Sequence, residues 1–132
     1  MKLSTKTTYS LRALLCLAKI YPQGLSVKAV AAAESLPAKY LESLLSHLKN
    51  LGFLTAKKGV GGGYCLARPP ASIKIGRLII ALEGNWSLAA CRTGGVKHGC
   101  SLECNCGVSQ LTARLSRVLN AELNRISLRE LL

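Results

Sequence analysis

The stretch VKAVAAAESLPAKYLESLLSHLKNLG, residues 27–52, decides the fold class of this 132-residue chain. Ser26 suits the N-cap of a first helix, Pro37 suits the first turn of a second, and Gly52 suits the position just past its end. Apolar residues recur at helical spacing on both sides of a break near residue 35, at Val27, Val30 and Ala31 and then at Leu41, Leu44, Leu45 and Leu48. Two short helices joined by a tight turn predict a helix-turn-helix.

The next stretch, FLTAKKGVGGGYCLARPP at residues 53–70, predicts a β-hairpin. Residues 53–57 and 64–67 have the composition of short strands, and the glycines between them form the tip. A hairpin directly after a helix-turn-helix is a wing, which favours a winged helix-turn-helix domain that is mainly α with one small β-hairpin. An ordinary flexible hairpin is the alternative.

The glycine-rich tip fits nucleotide-binding loops poorly. Gly59 and Gly61 match the start of G-x-G-x-x-G, but position 64 is Tyr and a strand rather than a helix follows. No Gly-Lys-Ser/Thr sequence of a P-loop is present. We therefore predict that Gly59 and Gly61 allow the wing backbone to approach DNA closely, with Lys57 and Lys58 supplying positive charge.

The second helix of the pair is the predicted DNA-reading helix. Pro37, Lys39 and Tyr40 lie near its N-terminus, where such helices meet base edges and phosphates. Lys39 is a candidate for phosphate or guanine, and Glu42 is a candidate acceptor for the N4 amino group of cytosine. The alternatives are that Tyr40 packs inward and that Glu42 is an ordinary surface glutamate.

The charge of the chain supports a polyanionic partner. Eighteen Lys and Arg oppose six acidic residues, for a net charge of +12, and the acids include no Asp. Residues 1–68 alone hold ten basic and two acidic residues, a balance of +8. A surface this basic attracts nucleic acid or anionic lipid, and we expect double-stranded DNA.

The apolar stretches do not predict a membrane protein. The longest, ALLCLA and LIIAL, are far shorter than the ~20 residues that a membrane-spanning helix requires. Arg12 and Lys19 interrupt the N-terminal apolar segment, so it does not resemble a signal peptide. We expect a cytoplasmic protein, in which clustered cysteines favour metal or redox chemistry over permanent disulfides.

The C-terminal segment predicts a long helix of about five turns. Its apolar residues fall along one helical side, at Val108, Leu111, Leu115, Val118, Leu119, Leu123 and Ile126. One small domain cannot cover so long a stripe, which favours dimerisation through this helix; packing on the chain's own core is the alternative. We therefore divide the chain into a DNA-binding part, residues 1–70, and a linker helix, cysteine loop and dimerisation helix, residues 71–132.

Four of the six cysteines lie in CRTGGVKHGCSLECNC, residues 91–106, called here the cysteine segment. Their spacing, C-x8-C-x3-C-x-C, lacks the paired C-x2-4-C knuckles of most zinc sites. A glycine-rich loop of thiolates suits an iron–sulfur cluster, of [2Fe–2S] or [4Fe–4S] type, with zinc as the alternative. The other two, Cys16 and Cys65, are expected in the core and on a wing strand.

Enzymatic function is not expected. The chain has two His and no Asp, and no motif supports a Ser–His or Cys–His catalytic pair. His47, on the predicted DNA-reading helix, is expected to contact phosphate or solvent.

Several stretches together resemble a known family over essentially the whole chain. MKLSTKTTYSLRALLCLA at the start, YLESLLSHLKNLGFL and GVGGGYCLARPP in the middle, and ALEG before the cysteines are similar to the bacterial iron–sulfur cluster-binding regulators that include IscR, NsrR and RirA. The wing sequence followed by ALEG is the most specific part. The resemblance implies a homodimeric winged helix-turn-helix transcription regulator that binds a palindromic operator through residues 37–50 and 58–62.

The resemblance also implies a cluster on the loop before the dimerisation helix, whose state controls DNA affinity in response to redox, nitric oxide or iron status. Cys91, Cys100 and Cys106 best match the three cysteines of the family. Some members take a carboxylate ligand from the partner's N-terminal helix, but the aligned positions here, Thr7 and Thr8, are poor ligands. Cys104 is then the first candidate for the fourth ligand and His98 the second.

Overall fold

The computed structural model describes residues 2–84, residue 88 and residues 106–132. Five α-helices and one antiparallel hairpin form the described part, with short 3₁₀ turns at Pro70–Ser72 and Leu128–Leu131. The elements, in chain order, are α1 (Thr5–Ala18), α2 (Val27–Glu34), α3 (Ala38–Asn50), β1 (Leu54–Lys57), β2 (Gly63–Leu66), α4 (Ile75–Glu83) and α5 (Gly107–Arg125). The fold class expected from the sequence is confirmed.

The ends of α2 and α3 lie close to those that the sequence predicts, with Pro37 at the N-cap of α3 rather than in its first turn. Ser26 caps α2 by accepting a hydrogen bond from the backbone N–H of Ala29 at 3.2 Å. The left-handed backbone of Ser35, at φ 52°, ends α2, and Pro37 takes the N-cap position of α3. Gly52 follows α3 with φ 81°, a conformation that glycine adopts without steric cost.

The segment before α2 pairs with the hairpin through one isolated β-bridge, which the sequence does not predict. Leu54 pairs with Leu66 and Lys57 pairs with Gly63 in the β1–β2 register. Leu25 then bridges to Tyr64 on the outer side of β2, with mutual backbone hydrogen bonds of 3.0 and 2.9 Å. Gly63 is required there because a Cβ atom would collide with the backbone carbonyl of Leu25. The wing is therefore attached to the segment that leads into α2.

One hydrophobic core joins the helices to the hairpin. α3 packs its leucine face against α1, α2 and β1, and Leu41, Leu45 and Leu48 are fully buried. Cys16 belongs to this core, as expected, and burial raises the pKa of its thiol. Residues beyond position 70 contribute as well, namely Ile73, Ile75, Leu78, Ile79, Leu82 and Leu128. Burying the side chain of each such leucine stabilises the fold by roughly 1.5–3 kcal/mol.

The C-terminal end of α5 returns to the start of α4. The backbone N–H of Ile75 donates to the carbonyl of Ile126 at 3.0 Å, and that of Leu128 donates to Ile73 at 2.8 Å. A Cβ on Gly76 would meet the side chain of Asn124, so glycine permits this close approach of the two helices. Among the described residues, no helix combines the length and apolar character of a membrane span.

The apolar stripe of α5 divides in a way that the sequence does not predict. Leu123 and Ile126 pack against the core of the same chain. The rest of the stripe is largely exposed, with Val108, Leu111, Leu115 and Val118 between 46% and 67% accessible. The seven apolar residues were expected to act as one face; instead the C-terminal turn anchors the helix and the preceding turns project their apolar residues outward.

Candidate DNA-contact surface and cysteine segment

The buried leucines of α3 determine which of its residues face outward. Since Leu41, Leu44, Leu45 and Leu48 occupy one side, the 3.6-residue period turns Lys39, Glu42 and Ser43 to the other, where all three are exposed. Pro37 is also exposed, at the N-cap. The predicted contact residues Pro37, Lys39 and Glu42 therefore share the accessible side and start of one helix.

Tyr40 was considered either as a DNA contact or as a residue that packs inward, and it is partly packed and partly accessible. Its ring packs edge-on against Tyr9 of α1, with centroids 6.0 Å apart, yet the residue stays 41% exposed. Arg12 lies over the other ring, with its guanidinium carbon 5.7 Å from the Tyr9 centroid. Arg12 also donates from Nε to Glu34 Oε2 at 3.0 Å and to the Glu34 carbonyl oxygen, which belongs to the last residue of α2.

This chain of contacts fixes both helices of the pair relative to α1. Tyr9 and Arg12 lie on one helix, while their partners Glu34 and Tyr40 flank the turn between α2 and α3. The aromatic pair contributes about 0.5–1.5 kcal/mol beyond its burial, with a smaller contribution from the partly exposed ion pair. The sequence gives no signal for these contacts because the two members of each pair lie far apart along the chain, in different elements.

The predicted wing tip is a tight glycine turn carrying exposed lysines. Gly59 and Gly61 have φ values of 105° and 75°, which residues other than glycine rarely adopt. The backbone N–H of Gly62 donates to the carbonyl of Gly59 at 2.9 Å and closes the turn. Lys57 and Lys58 are both exposed beside it. The tip thus presents cationic side chains next to backbone that lacks side-chain bulk.

His47 is half-buried, so its side chain is less accessible than expected. It was expected to contact phosphate or solvent, but its Nε2 atom is buried, without a hydrogen-bond partner among the described residues. The residue lies in the last turn of α3, between the buried Leu44 and Leu48 and the exposed Lys49. The helical phase therefore turns its imidazole partly toward the protein.

Glu83, at the end of α4, binds the start of α1. Its Oε1 atom accepts from the backbone N–H of Ser4 at 2.9 Å and from the Thr7 hydroxyl at 2.5 Å. The Ser4 hydroxyl caps α1 by accepting from the backbone N–H of Thr7 at 3.1 Å. Hydrogen bonds from Ser4 and Thr7 hold the pKa of the Glu83 carboxyl below its usual range.

These contacts explain the side chains at the two threonine positions. Thr7 is 1% exposed, and its hydroxyl is committed to Glu83. The Thr8 hydroxyl donates to the carbonyl of Ser4 at 3.0 Å. Both threonines therefore serve the helix start within their own chain, and the ALEG glutamate acts as a cap rather than as an isolated surface charge.

Three of the six cysteines lie in the described residues. Cys16 and Cys65 are buried, and the Cys65 sulfur lies 3.0 Å from the Thr55 hydroxyl on the opposite strand. Cys106 is half-buried at the N-cap of α5, where its side chain makes no capping hydrogen bond. Cys91, Cys100, Cys104 and His98 lie outside the described residues. Within the described part of the chain, no three His, Cys, Asp or Glu side chains gather to hold a metal.

A helix pair, a wing and an exposed basic face together define a winged helix-turn-helix DNA-binding protein. Comparison with known proteins narrows this class. Residues 3–132 match the Rrf2 family, described as iron-dependent transcriptional regulators, and the chain belongs to this family.

The alignments with similar proteins span different shares of the lengths of those proteins. The HTH-type regulator NsrR of Bacillus subtilis is 31% identical over 132 residues, 99% of this chain and 90% of its own. The putative HTH-type regulator slr0846 of Synechocystis is 48% identical over 84 residues, which span 63% of this chain and 57% of that relative. These relatives are named transcriptional regulators, in agreement with the expectation that the chain is not an enzyme.

Solved structures of transcriptional regulators are also similar to this chain. The IscR structure from T. potens matches with a TM-score of 0.77 at 29% identity, covering 99% of this chain and 85% of that one. The structure of CymR, described as the global cysteine regulator of B. subtilis, matches with a TM-score of 0.80 at 30% identity, covering 99% of this chain and 95% of that one. The resemblance to IscR and NsrR noted in the sequence is thereby confirmed.

The Glu83 contact predicts a pH-dependent contribution to stability. A carboxyl whose pKa is lowered by folding stabilises the native state fully above its unfolded pKa of about 4.3, and this contribution is lost as the pH falls through the lower folded value. The free energy of unfolding of the wild type should therefore exceed that of Glu83→Gln at pH 7. The two values should converge as the pH falls through the lowered folded pKa of Glu83, when measured by urea denaturation.

Two further variants assign the effect. Thr7→Val keeps the volume but removes the hydroxyl donor, so the difference between wild type and Glu83→Gln should shrink in the Thr7→Val background. Glu42→Gln is the control for loss of a carboxylate that makes no hydrogen bond among the described residues. A difference between wild type and Glu83→Gln that is the same at neutral pH and well below the unfolded pKa would contradict the prediction.

Proposed function

We propose that this Rrf2 regulator binds a palindromic double-stranded operator as a homodimer in the cytoplasm, and that an iron–sulfur cluster on the cysteine segment controls its DNA affinity. The observation that carries the DNA part is the pairing of an exposed, lysine-bearing start of α3 with a cationic glycine tip on the wing. Residues 1–70 supply the DNA contacts, and residues 71–132 supply sensing and dimerisation.

Each contact residue has a defined role in this proposal. Lys39 binds a phosphate or a guanine edge, and Glu42 accepts from cytosine N4 in the major groove. Pro37 and Tyr40 set the start of α3, with Tyr40 held by Tyr9. At the wing, Lys57 and Lys58 neutralise phosphates beside Gly59 and Gly61, whose lack of side chains allows the backbone to approach DNA.

The proposed cluster uses Cys91, Cys100 and Cys106, with Cys104 as fourth ligand. The fit can be examined at Cys106, whose half-buried thiol makes no capping hydrogen bond to α5 and can act as a ligand. A cluster held by these residues would supply redox reactivity. The cysteine segment lies between Glu83, which caps α1, and α5, so a change in its state can bear on both. If the cluster-bound and cluster-free states differ in their affinity for the operator, that difference is the coupling free energy between the cluster and DNA binding.

A thiol–disulfide switch is the alternative, and the likeness to CymR favours considering it. CymR is described as a global cysteine regulator, and its match, with a TM-score of 0.80, covers 99% of this chain. In this alternative Cys91, Cys104 or Cys106 forms a reversible disulfide and no cluster is needed. A zinc-stabilised cysteine segment is the remaining alternative for the cofactor.

Removing lysines should weaken DNA binding in a salt-dependent way. Lys39→Ala and Lys58→Ala should each lower the magnitude of the slope of log K against log salt by about 1 for every phosphate that the side chain no longer neutralises. Fluorescence anisotropy with a palindromic duplex selected by the wild type measures both affinity and slope. Arg129→Ala, which removes a charge outside α3 and the wing, is the control, and equal effects from all three variants would contradict the assignment.

Anaerobic purification tests the cluster. The wild type should be coloured and contain iron and acid-labile sulfide, and Cys91→Ser, Cys100→Ser and Cys106→Ser should each lose most of both. Cys104→Ser and His98→Ala then distinguish the two candidates for the fourth ligand. Cys16→Ala, in the buried core, should leave iron and sulfide unchanged. Colourless protein with zinc and without sulfide would exclude the cluster, and full response to oxidant without iron would favour the thiol switch.

α5 would have two separate tasks in the proposed homodimer. Its last turn is anchored to α4 through Leu123, Ile126 and the close approach at Gly76. Its earlier turns leave an apolar seam exposed, which is costly for an isolated chain and suits a two-fold partner. Because anchoring and exposure occur on one continuous helix, the proposed dimer seam would be rigidly connected to α4.

A charge in this seam should break the dimer. Val108, Leu111, Leu115 and Val118 follow the 3-4-3 spacing of a two-helix seam. Leu115→Lys places a charge there, so multi-angle light scattering should report monomer, while Gln110→Lys on the same helix should remain dimeric. Light-scattering masses that are dimeric for both variants would contradict the proposed seam.

A further inference from the structure

A cavity of about 200 Å³ lies where the end of α3, the base of the hairpin and the start of α4 meet. Its walls combine the segment after α3, the segment after β2 and the segment leading into α4, namely Leu51, Gly52, Phe53, Arg68, Ser72, Ile73, Lys74 and Arg77. None of these described lining residues is acidic. Three cations and an apolar floor thus converge on one concave site.

The two arginines are available to a ligand, whereas the Lys74 ammonium also interacts with the Glu130 carboxylate. The ion pairs in the described part of the chain are Arg12–Glu34 and Arg125–Glu122, so they leave Arg68 and Arg77 without a carboxylate partner there. Both side chains are exposed at the rim. Lys74 donates one N–H to the carbonyl of Arg125 at 3.0 Å, and its ammonium retains two further donors.

Apolar side chains form the floor of the cavity and part of its opening. Ile73 is buried and Phe53 is half-buried, and both pack on the main core, so this floor is continuous with the core. Leu51 is one of the few leucines left substantially exposed outside α5 and the C-terminus, and it lies at the same opening. Charge and apolar surface are therefore side by side, an arrangement that selects molecules having both.

The cavity is separate from the proposed DNA contacts. It adjoins the C-terminal end of α3, whose 13 residues span about 20 Å from the contact residues at its start. It also adjoins the base of the hairpin, and strands of four residues separate that base from the glycine tip by about 13 Å. Along the chain, the cysteine segment follows α4, whereas the cavity adjoins the start of that helix. Neither the proposed DNA contacts nor the proposed cluster accounts for the three cations of the cavity.

We propose that this cavity binds a small organic anion consisting of a carboxylate and an apolar group. Arg68 and Arg77 hold the carboxylate, since guanidinium groups form paired hydrogen bonds with it, and Lys74 adds charge. The apolar group lies on Phe53 and Ile73. The volume is below the ~300–1,000 Å³ of sites for drug-sized ligands, which limits the occupant to a molecule of about the size of benzoate.

Such a ligand would touch two parts of the fold at once. Phe53 and Gly52 follow the DNA-reading helix directly, whereas Lys74 and Arg77 belong to the α4 side and Lys74 contacts the end of α5. The site can therefore bridge the helix-turn-helix unit and the segment that carries the long C-terminal helix. Binding itself does not depend on whether the cysteine segment holds a cluster.

Chemical-shift mapping of the full chain with sodium benzoate as the probe tests the site. In ¹H–¹⁵N spectra, amide shifts of Gly52, Phe53 and Ile73 should change in a saturable way. Benzamide, which lacks the charge, and inorganic phosphate, which lacks the apolar ring, should bind at least roughly 10-fold more weakly, as expected when one charge-assisted or apolar interaction is missing. Sodium chloride at equal ionic strength is the salt control.

A pair of matched double variants decides whether the named arginines are responsible. Arg68→Gln/Arg77→Gln should abolish the saturable shifts, while Arg114→Gln/Arg117→Gln, which removes the same charge from α5, should retain them. All four arginines are exposed, and unchanged unfolding midpoints verify that the variants remain folded. Absence of shifts with benzoate, shifts confined to α5, or equal weakening in both double variants would overturn the proposal.

Discussion

The burial of the α3 leucine face is the constraint on which the rest of this structure depends. Leu41, Leu45 and Leu48 are inaccessible to solvent, so rotation of α3 about its axis would expose apolar surface at a cost of several kcal/mol. The helix is thereby held with Lys39 and Glu42 outward. The chemistry of the proposed DNA-contact side thus follows from packing on the opposite side.

Two sets of contacts from α1 support this arrangement. Near its middle, Arg12 and Tyr9 reach Glu34 and Tyr40, which flank the turn of the helix pair. At its start, the first turn is bound by the carboxylate at the end of α4. α1 is therefore the shared support of the helix-turn-helix and of the helix that leads into the cysteine segment. In the proposed regulator, this placement would connect the state of that segment to the orientation of α3.

The sequence by itself determined the helix pair, the wing, the buried leucines and the basic character. These features depend on local spacing, caps and glycine positions, which the chain carries in stretches of a few residues. It also placed Lys39, Glu42, Lys57 and Lys58 on accessible positions, since helical phase and turn position settle exposure. The family resemblance rested on similarly local motifs, and the match over residues 3–132 bore it out.

Only the tertiary structure decided the contacts between distant segments. The Leu25 bridge to Tyr64, the Glu83 cap on α1 and the inward turn of His47 join or orient residues according to how whole elements pack. The division of the α5 stripe and the cationic cavity beside Phe53 have the same origin. Periodicity specifies which face of an element is apolar, but the neighbour that covers that face is fixed by the packing of the complete chain.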